Sequence, residues 1–380
     1  MESIKLHIAN KKIEIYQIIV FFYSLIVMTN IFIRSMFNFG STLIQLRYVL
    51  VIGIFILSLL FEQCTTREYI WLIIGVVCSI CTFQKENVLL ILILFSLRNV
   101  PVKKLLTAIV FSIIISLCII ILATKLNIIP NLIFYRDNLQ RYSFGTQYPL
   151  IFSSYVFSMS AAILLVNKHR FNGRLIIVYG IIILLLEHFT HSRNDEFCIF
   201  LLILVICQQR LSINIKKCIV RILYVLTLSL ILFSIFISNI FSYTSDMYIF
   251  LNNLFNQRLG QQYILFRNYS PKLLGQYIPQ QGSGGMVQNI NNYFYIDNSF
   301  VRLLFMSGIL FSFFIMCTIF VQLFKLIQND LFTISLVLMI ILINGVFADS
   351  FSSFTLNLLM PLFYISLYQI KQLNSDVINT

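Results

Sequence analysis

Charged residues are scarce in this chain. They make up 11% of its 380 residues, while hydrophobic residues make up 59% and the mean hydropathy is +0.90. A soluble domain carries about a quarter charged residues, so this shortage excludes a water-soluble globular enzyme, a disordered chain and a secreted disulfide scaffold. A chain this apolar needs lipid as its solvent.

Acidic residues are the scarcer of the charged types. There are 14 of them against 27 basic residues, which gives a net charge of +13. The excess fits the Lys and Arg that orient membrane proteins on the cytoplasmic side, and it also fits an anionic substrate or the head groups of membrane lipid. A nucleic-acid partner is not expected, because the sequence has no soluble basic domain to bind one.

Several common motifs are missing from the sequence. It has no Walker A loop, no DxD motif in a soluble domain and no GxSxG, which argues against an ATP-driven motor, a nucleotide-sugar transferase and a serine hydrolase of that type. The eight cysteines are scattered. Cys78 and Cys81 form a CxxC within an apolar run and are interpreted as packing residues, so no metal and no cofactor are predicted.

Apolar runs of helical length recur along the chain. They predict an all-α integral membrane protein, with residues 1–380 as a single polytopic domain of about 12 transmembrane helices. Residues 69–97 form either two short helices or one re-entrant hairpin. Lys11 and Lys12 precede the first run without a cleavage pattern, which indicates a retained first span. The runs are 15–33, 43–61, 69–83, 88–97, 105–126, 149–166, 175–190, 196–208, 219–241, 299–323, 331–347 and 354–370.

The basic residues predict an orientation. If the N-terminus is cytoplasmic and the spans alternate, most of the lysines and arginines fall in short inside loops, as Lys103 and Lys104 do. Short loops are the ones that follow the positive-inside rule. The predicted protein is therefore multi-pass and has both termini in the cytoplasm.

Two long segments then face the outside of the membrane. One spans 127–148, and the other spans 242–298 and is the large outer loop. The larger loop is rich in Gly, Asn, Gln and Tyr and is predicted to be irregular. Its composition suits carbohydrate, because sugar hydroxyls need polar partners and sugar rings stack on aromatic side chains. An ordinary solvated loop is the alternative interpretation.

The outside segments carry basic residues that the orientation rule disfavours. A guanidinium group binds phosphate through a planar fork of donors, so several of them at one place would fit a pyrophosphate. For any one of them, snorkelling to the interface is the structural alternative. The residues are Arg136, Arg141, Arg193, Arg258, Arg267 and Lys272.

A carboxylate lies where the large loop meets the tenth run. Asp297 and Asn298 precede that run, and Gly308 is predicted to lie three turns down the same helix. The Asp297 carboxylate is a candidate to accept a proton from a sugar hydroxyl. Capping of the helix by these residues is the alternative.

Residues 187–196 form a dense polar cluster beside the membrane. His188 and His191 are spaced for one helix face, but no further metal-ligand pattern accompanies them. Pairing of Arg193 with Asp195 or Glu196 is the commoner explanation of such a cluster. Ionisable residues at this depth are nevertheless candidates for function, and Asp349, between the last two runs, is a similar case.

Four short segments together resemble the Wzy-type polymerases of bacterial O-antigen and capsule repeat units, which are related in fold to the O-antigen ligases. In the first, Tyr148 stands where family members often have His, and in the fourth, Asp297 stands where the ligases have His. The segments are Arg141-Tyr142-Ser143-Phe144-Gly145 with Tyr148-Pro149; His191-Ser192-Arg193; Arg258-Leu259 with Leu274-Gly275; and Asp297-Asn298 followed by nine residues and Gly308.

The resemblance implies a glycosyltransferase with a lipid-pyrophosphate-linked donor. It also implies a bacterial inner membrane, with 127–148 and 242–298 as periplasmic loops. A growing polysaccharide on undecaprenyl pyrophosphate is transferred to a new lipid-linked oligosaccharide repeat unit, and undecaprenyl pyrophosphate leaves. Neither nucleotide nor metal is needed, since pyrophosphate is already the leaving group. A chain-length regulator and a flippase are the protein partners that the resemblance implies.

The resemblance also assigns roles to residues. Arg193 and Arg258 are expected to stabilise charge on the pyrophosphate, and Asp297 to orient or deprotonate the acceptor hydroxyl. Supporting contacts with pyrophosphate or substrate are expected from Arg141, Arg136, Arg267, Lys272, Asn298 and His191.

Two alternatives remain open on sequence alone. An O-antigen ligase would transfer finished polymer to a lipid core, and a His in place of Asp297 would favour it. A flippase for lipid-linked oligosaccharides would be a transporter without bond chemistry. It predicts internal symmetry and charges along the spans, whereas this chain has a dominant outside loop.

Overall fold

The chain forms a helical bundle with one small sheet. The computed structural model describes residues 2–136, 139–167, 171–240, 244–255, 257–282 and 293–375. In these ranges the chain is mostly helical. Six helices are long and apolar enough to cross a membrane, and two shorter ones are also apolar. The predicted class, a helical membrane-embedded protein, is therefore confirmed.

The elements up to residue 240 follow the apolar runs closely, because each run from 15–33 to 219–241 coincides with one helix. Their bounds are α1 (Glu2–Ile33), α2 (Thr42–Phe61), α3 (Thr66–Ile80), α4 (Glu86–Leu97), α5 (Val102–Lys125), β1 (Ile133–Arg136), β2 (Leu139–Tyr142), α6 (Pro149–Val166), α7 (Gly173–Phe189), α8 (Arg193–Cys207) and α9 (Ile213–Ile240).

The later elements depart more from the predicted pattern. Their bounds are α10 (Asp246–Leu254), α11 (Arg258–Asn268), α12 (Ser299–Arg302), α13 (Ile309–Gln328), α14 (Phe332–Phe347) and α15 (Leu367–Ser375).

Local signals explain where two of the helices begin. Thr65 and Glu68 form a capping box at the start of α3, in which the Thr65 amide donates to the Glu68 carboxylate at 2.7 Å and the Glu68 amide donates to the Thr65 hydroxyl at 3.4 Å. Pro149 is the first residue of α6, where its missing amide hydrogen removes no helical hydrogen bond.

Two buried arginines mark the opposite ends of the bundle. Arg47, near the start of α2, pairs with Glu86 at the start of α4 over 2.8 Å. Arg98, just after α4, donates to Ser58 near the end of α2 at 3.0 Å and pairs with Glu68 in the first turn of α3 at 3.4 Å. Residues 69–97 therefore form two helices that connect the Arg98 end with the Arg47 end.

The predicted tenth helix is broken. α12 passes into a five-residue π turn, Leu303–Ser307, and Gly308 then adopts a φ of +90° before α13 begins. The expectation that Asp297 and Gly308 lie along one continuous helix is therefore wrong. The break is stabilised by Gly275, whose own φ is +80° and whose backbone lies against Met306 and Gly308, leaving no room for a Cβ at either glycine.

The twelfth run is not a single helix. Residues 354–366 are irregular apart from a short 3₁₀ turn, Met360–Phe363, and only then does α15 begin. The Ser353 hydroxyl accepts from Arg34 at 3.2 Å, while the Ser366 amide donates to the Arg98 carbonyl at 2.7 Å. The segment thus runs the length of the bundle in irregular form, which membrane proteins tolerate where such backbone is buried in protein.

Both long loops contain regular structure. The segment 127–148 forms a hairpin in which Phe134 pairs with Arg141; its residues 137–138 lie outside the described residues. The segment 242–298 contains α10 and α11, so the expectation of a wholly irregular loop is wrong; residues 242–243, 256 and 283–292 of that prediction lie outside the described residues. α11 forms because Leu259 and Leu265 are buried against neighbouring apolar side chains.

Candidate functional site

A polar cavity of about 250 Å³ opens at the Arg47 end of the bundle. It is assembled from the end of α1, the β1–β2 hairpin, the starts of α6, α8 and α11, and the segments before α12 and after α14. Its charged and aromatic lining residues are Arg34, Arg136, Arg141, Arg258, Asp195, Asp297, Asp349, Tyr148, Tyr293 and Tyr295.

Arg141 lines this cavity and has one buried, unpaired donor. Its side chain is buried, its Nε donates to the Thr190 carbonyl at 2.8 Å and its Nη1 donates to the Tyr148 hydroxyl at 3.4 Å. The remaining nitrogen, Nη2, has no hydrogen-bond partner among the described residues. An unpaired buried guanidinium donor is costly, so a ligand with anionic oxygens would complete this site.

Arg136 is held close to other cations. Its Nη2 donates to the His191 carbonyl at 3.3 Å. Burial lowers the pKa of Arg136, and the charges of Arg141, Arg193 and Arg258 lower it further. Several cations at one place repel one another, and a bound polyanion would relieve that repulsion.

Arg34 is a cavity residue that the sequence reasoning missed. It follows α1, where its Nε donates to the Thr355 hydroxyl at 2.8 Å and its Nη2 to Ser353. A backbone bridge between Ser35 and Thr146 ties this position to the first loop. The other arginines were predicted because they are basic residues on the outside face of predicted spans. Arg34 directly follows the run 15–33, so the same reasoning could have identified it.

Arg258 and Asp297 form an ion pair on the cavity wall. The Arg258 Nε lies 3.3 Å from Asp297 Oδ2, and both side chains are about four-fifths buried. Burial raises the pKa of Asp297; the positive charge of Arg258 opposes the shift, and the nearby Asp349 adds to it. Within the described chain, Arg258 is the only one of the four cavity arginines that is paired with a carboxylate.

A second carboxylate is fixed on the same wall. The Tyr295 hydroxyl donates to Asp349 Oδ2 in a short hydrogen bond, and Arg302 Nη1 donates to the same oxygen at 3.3 Å and to the Tyr295 hydroxyl at 3.2 Å. Burial and the Asp349 charge raise the pKa of Tyr295, so it stays a hydrogen-bond donor. Asp349 was a candidate from its position, but nothing in the sequence pattern pointed to Tyr295 or Arg302.

Other predicted site residues lie elsewhere or act differently. Arg193 is exposed at the start of α8 and does not line the cavity, although its charge reaches Arg136. Arg267 is exposed and donates to the Tyr263 hydroxyl at 2.9 Å. Lys272 is exposed and contributes its backbone carbonyl to the turn before α13. The structure therefore does not bring these three side chains to the cavity wall.

Asn298 and His191 have structural contacts. The Asn298 side chain caps α12 by accepting from the Phe300 and Val301 amides, and it donates to Ser234 at 3.0 Å. This is the capping role that the sequence left as the alternative, and Asn298 does not line the cavity. The His191 ring faces Glu187 at 3.7 Å, while its backbone, with a φ of +46°, presents the carbonyl to Arg136.

The cluster around residue 195 is built differently from the expectation. The Asp195 carboxylate accepts from Ser153 in a short hydrogen bond and from Asn344 at 2.8 Å. Glu196 accepts from Ser192 at 3.3 Å. Neither carboxylate forms an ion pair with Arg193 within the described ranges, so that interpretation of the cluster is wrong. The described residues contain no group of three or more His, Cys, Asp or Glu side chains arranged to hold a metal ion.

The cavity therefore combines unpaired arginine donors with two carboxylates on one wall. Such a site suits a polyanion beside a hydroxyl that must lose a proton. No family model, curated protein or solved structure matches the chain.

Proposed function

We propose that the chain is a polymerase of bacterial O-antigen or capsule polysaccharide. It joins undecaprenyl-pyrophosphate-linked oligosaccharide repeat units and works at the periplasmic face of the inner membrane. The observation that carries the proposal is the convergence of Arg34, Arg136, Arg141 and Arg258 from distant segments on one cavity. Its charge and donor geometry suit a pyrophosphate.

The topology is part of the proposal. The cavity end is periplasmic, the Arg98 end is cytoplasmic and both termini are cytoplasmic. Twelve crossings result if the irregular segment 354–366 counts as the last. The Arg98 end also carries Arg67 and Lys325 beside a shallow pocket, in keeping with the cytoplasmic excess of basic residues.

The reaction is a single displacement at the anomeric carbon of the donor. The acceptor hydroxyl oxygen forms the new bond to that carbon, the bond from the carbon to the pyrophosphate oxygen breaks, and its electron pair leaves with the pyrophosphate. Arg141 and Arg258 stabilise the developing negative charge, supported by Arg136 and Arg34. Preorganised donors of this kind contribute about 10²–10³-fold each.

Asp297 takes the proton of the acceptor hydroxyl in this proposal. Its Oδ2 is held by Arg258, while no hydrogen bond to Oδ1 is formed by the described residues. The raised pKa makes the carboxylate a better proton acceptor than an ordinary aspartate. The transferred group needs no nucleotide for activation, because pyrophosphate already leaves readily.

The proposal is tested by reconstitution. Purified protein in liposomes, given lipid-linked repeat units with chelator and without nucleotide, should form a ladder of polymers. Deletion of the gene in its host should reduce surface polysaccharide to single repeat units. Polymer that accumulates on the undecaprenyl carrier would instead identify a ligase, and a lack of periplasmic repeat units would identify a flippase.

A further inference from the structure

The cavity contains an aromatic ring that no step above uses. Tyr293 lines the cavity and is 48% exposed. A backbone bridge joins Gln281 and Phe294 through hydrogen bonds of 2.8 and 3.2 Å, and it places Gly282 beside the Tyr293 ring. A Cβ at Gly282 would overlap that ring. The glycine thus lets the ring lie against the backbone while the rest of the ring stays open.

Asp349 presents a free oxygen to the same cavity. Its Oδ2 is occupied by Tyr295 and Arg302, and its backbone is held in a turn in which its carbonyl accepts from the Ser353 amide at 3.1 Å. Its Oδ1 receives no hydrogen bond from any described residue, and the side chain is 19% exposed. The carboxylate is therefore oriented before any ligand arrives.

A fixed carboxylate beside an open aromatic ring matches the surface of a sugar. The free carboxylate oxygen accepts hydrogen bonds, which sugar hydroxyls donate, whereas the arginines nearby can only donate. The ring offers an apolar face for the C–H face of a pyranose. A carboxylate on the sugar itself would be repelled by Asp349 and Asp297.

We propose that Tyr293 and Asp349 form the subsite for the acceptor sugar, with Tyr295 and Arg302 as positioning residues. The subsite takes a pyranose that has free hydroxyls and no carboxylate. The inference rests on the proposed function and adds which part of the cavity holds the acceptor and which class of sugar it accepts.

The test separates acceptor binding from donor binding. Protein in liposomes receives a fixed amount of lipid-linked repeat unit as donor and increasing amounts of the free repeat-unit oligosaccharide as acceptor. Asp349→Asn should raise the acceptor KM by about 10-fold or more, as expected for the loss of a charged hydrogen-bond acceptor. Tyr293→Ala should raise it by roughly 3- to 10-fold, as expected for a lost ring contact.

Two controls accompany the variants. Tyr277 lies in the same loop, but its ring is 74% exposed and does not line the cavity. The acceptor KM of Tyr277→Ala should therefore equal that of the wild type. Inorganic pyrophosphate should raise the melting temperature of both variants as much as that of the wild type, because the arginines remain. Tyr293→Ala leaves the Asp349–Arg302 pair intact, so it still tests the subsite if Asp349→Asn fails to fold.

The outcomes distinguish the two proposals. Wild-type acceptor KM in both variants, with polymer formed, overturns the subsite and leaves the polymerase standing. If pyrophosphate no longer raises the melting temperature of either variant, the subsite is also overturned, because the two residues would then be needed for the structure of the whole cavity and not for the acceptor alone. A wild-type protein that forms no polymer overturns the proposed function and the subsite with it.

Discussion

Arg258 and Asp297 face each other across 3.3 Å, the first from within the long loop 242–298 and the second from its end. Arg258 is the first residue of α11, and Asp297 directly precedes the Asn298 cap of α12. The pair therefore joins the start of α11 to the segment before α12 at the cavity wall. In the proposed mechanism it places a cation for the pyrophosphate next to a carboxylate for the acceptor hydroxyl.

Substitution of Asp297 should distinguish a base from a structural residue. Asp297→Asn keeps the size of the side chain but cannot take a proton, so polymer formation should fall by about 10²-fold or more at normal protein levels. Because only the ionised carboxylate accepts a proton and burial raises the pKa of Asp297, wild-type activity should rise with pH through that raised pKa. Initial rates between pH 4 and 8 would measure both effects.

The matched control is Asp246→Asn, which changes an exposed aspartate at the start of α10 outside the cavity. It should keep wild-type rates at each pH. Near-normal turnover by Asp297→Asn would remove the residue from the catalytic role and leave the arginines as the main catalytic groups.

The cavity arginines should be sensitive to both size and shape. Arg141→Ala and Arg258→Ala should each reduce polymer formation by about 10²–10³-fold. Arg141→Lys should also be poor, because a point charge cannot replace a guanidinium fork that donates to the Thr190 carbonyl and, in the proposed mechanism, to a phosphate oxygen. Polymer ladders at matched expression are the measurement.

Arg267→Ala provides the comparison for these variants. Sequence resemblance places Arg267 at the pyrophosphate, whereas the structure places it against Tyr263. The variant should therefore form normal ladders. Activity in Arg141→Ala and Arg258→Ala equal to that of Arg267→Ala would mean that the pyrophosphate binds elsewhere.

The contact between Gly275 and Gly308 should limit stability. Both residues have positive φ, and a Cβ on either would meet the backbone of the other segment. Gly308→Ala should lower stability by about 1–3 kcal/mol or more, since the strain and the clash both oppose it. Thermal melting in detergent would measure the loss.

Gly180→Ala is the matched glycine variant. Gly180 lies within α7, and a Cβ added to it would meet no atom within 4 Å. Alanine should stabilise that helix by roughly 0.5–1 kcal/mol. A Gly308→Ala protein that melts at the same temperature as Gly180→Ala would show that the break in the tenth segment does not need glycine.

Labelling of introduced cysteines should reveal the orientation. In a background without the native cysteines, Tyr277→Cys should react with a membrane-impermeant maleimide from the periplasm, because the loop 242–298 is proposed to lie there. Asn172→Cys, just before α7, should react only after the inner membrane is opened. Periplasmic labelling at Asn172 would contradict the proposed topology.

The helices from α1 to α9 could be predicted because each is a continuous apolar run, and burial of apolar side chains is a property of the run itself. The interruptions of the tenth and twelfth runs could not be predicted in this way. The turn at Gly308 depends on Gly275, and the irregular segment after Ser353 depends on partners such as Arg34 and Arg98. Most of these contacts join residues that are far apart along the chain, so no local pattern encodes them.

The cavity shows the same division. Arg136, Arg141 and Arg258 could be predicted because basic residues in the outside segments conflict with the orientation rule, and Asp297 because it lies where the large loop meets the tenth run. Arg193, Arg267 and Lys272 conflict with the orientation rule in the same way, but their side chains do not line the cavity. The direction in which a side chain points depends on how its element packs, which the spacing along the chain leaves open.

By itself, the sequence determined that this protein is helical and membrane-embedded, because so few charges cannot cover a water-soluble surface. The sequence also determined where the basic residues of the outside segments lie along the chain. The tertiary structure decided which of them meet, which carboxylate pairs with Arg258 and which is held by Tyr295 and Arg302. Charges act over a few ångströms, and only the packed bundle brings residues 34, 141, 258 and 349 within that distance of one cavity.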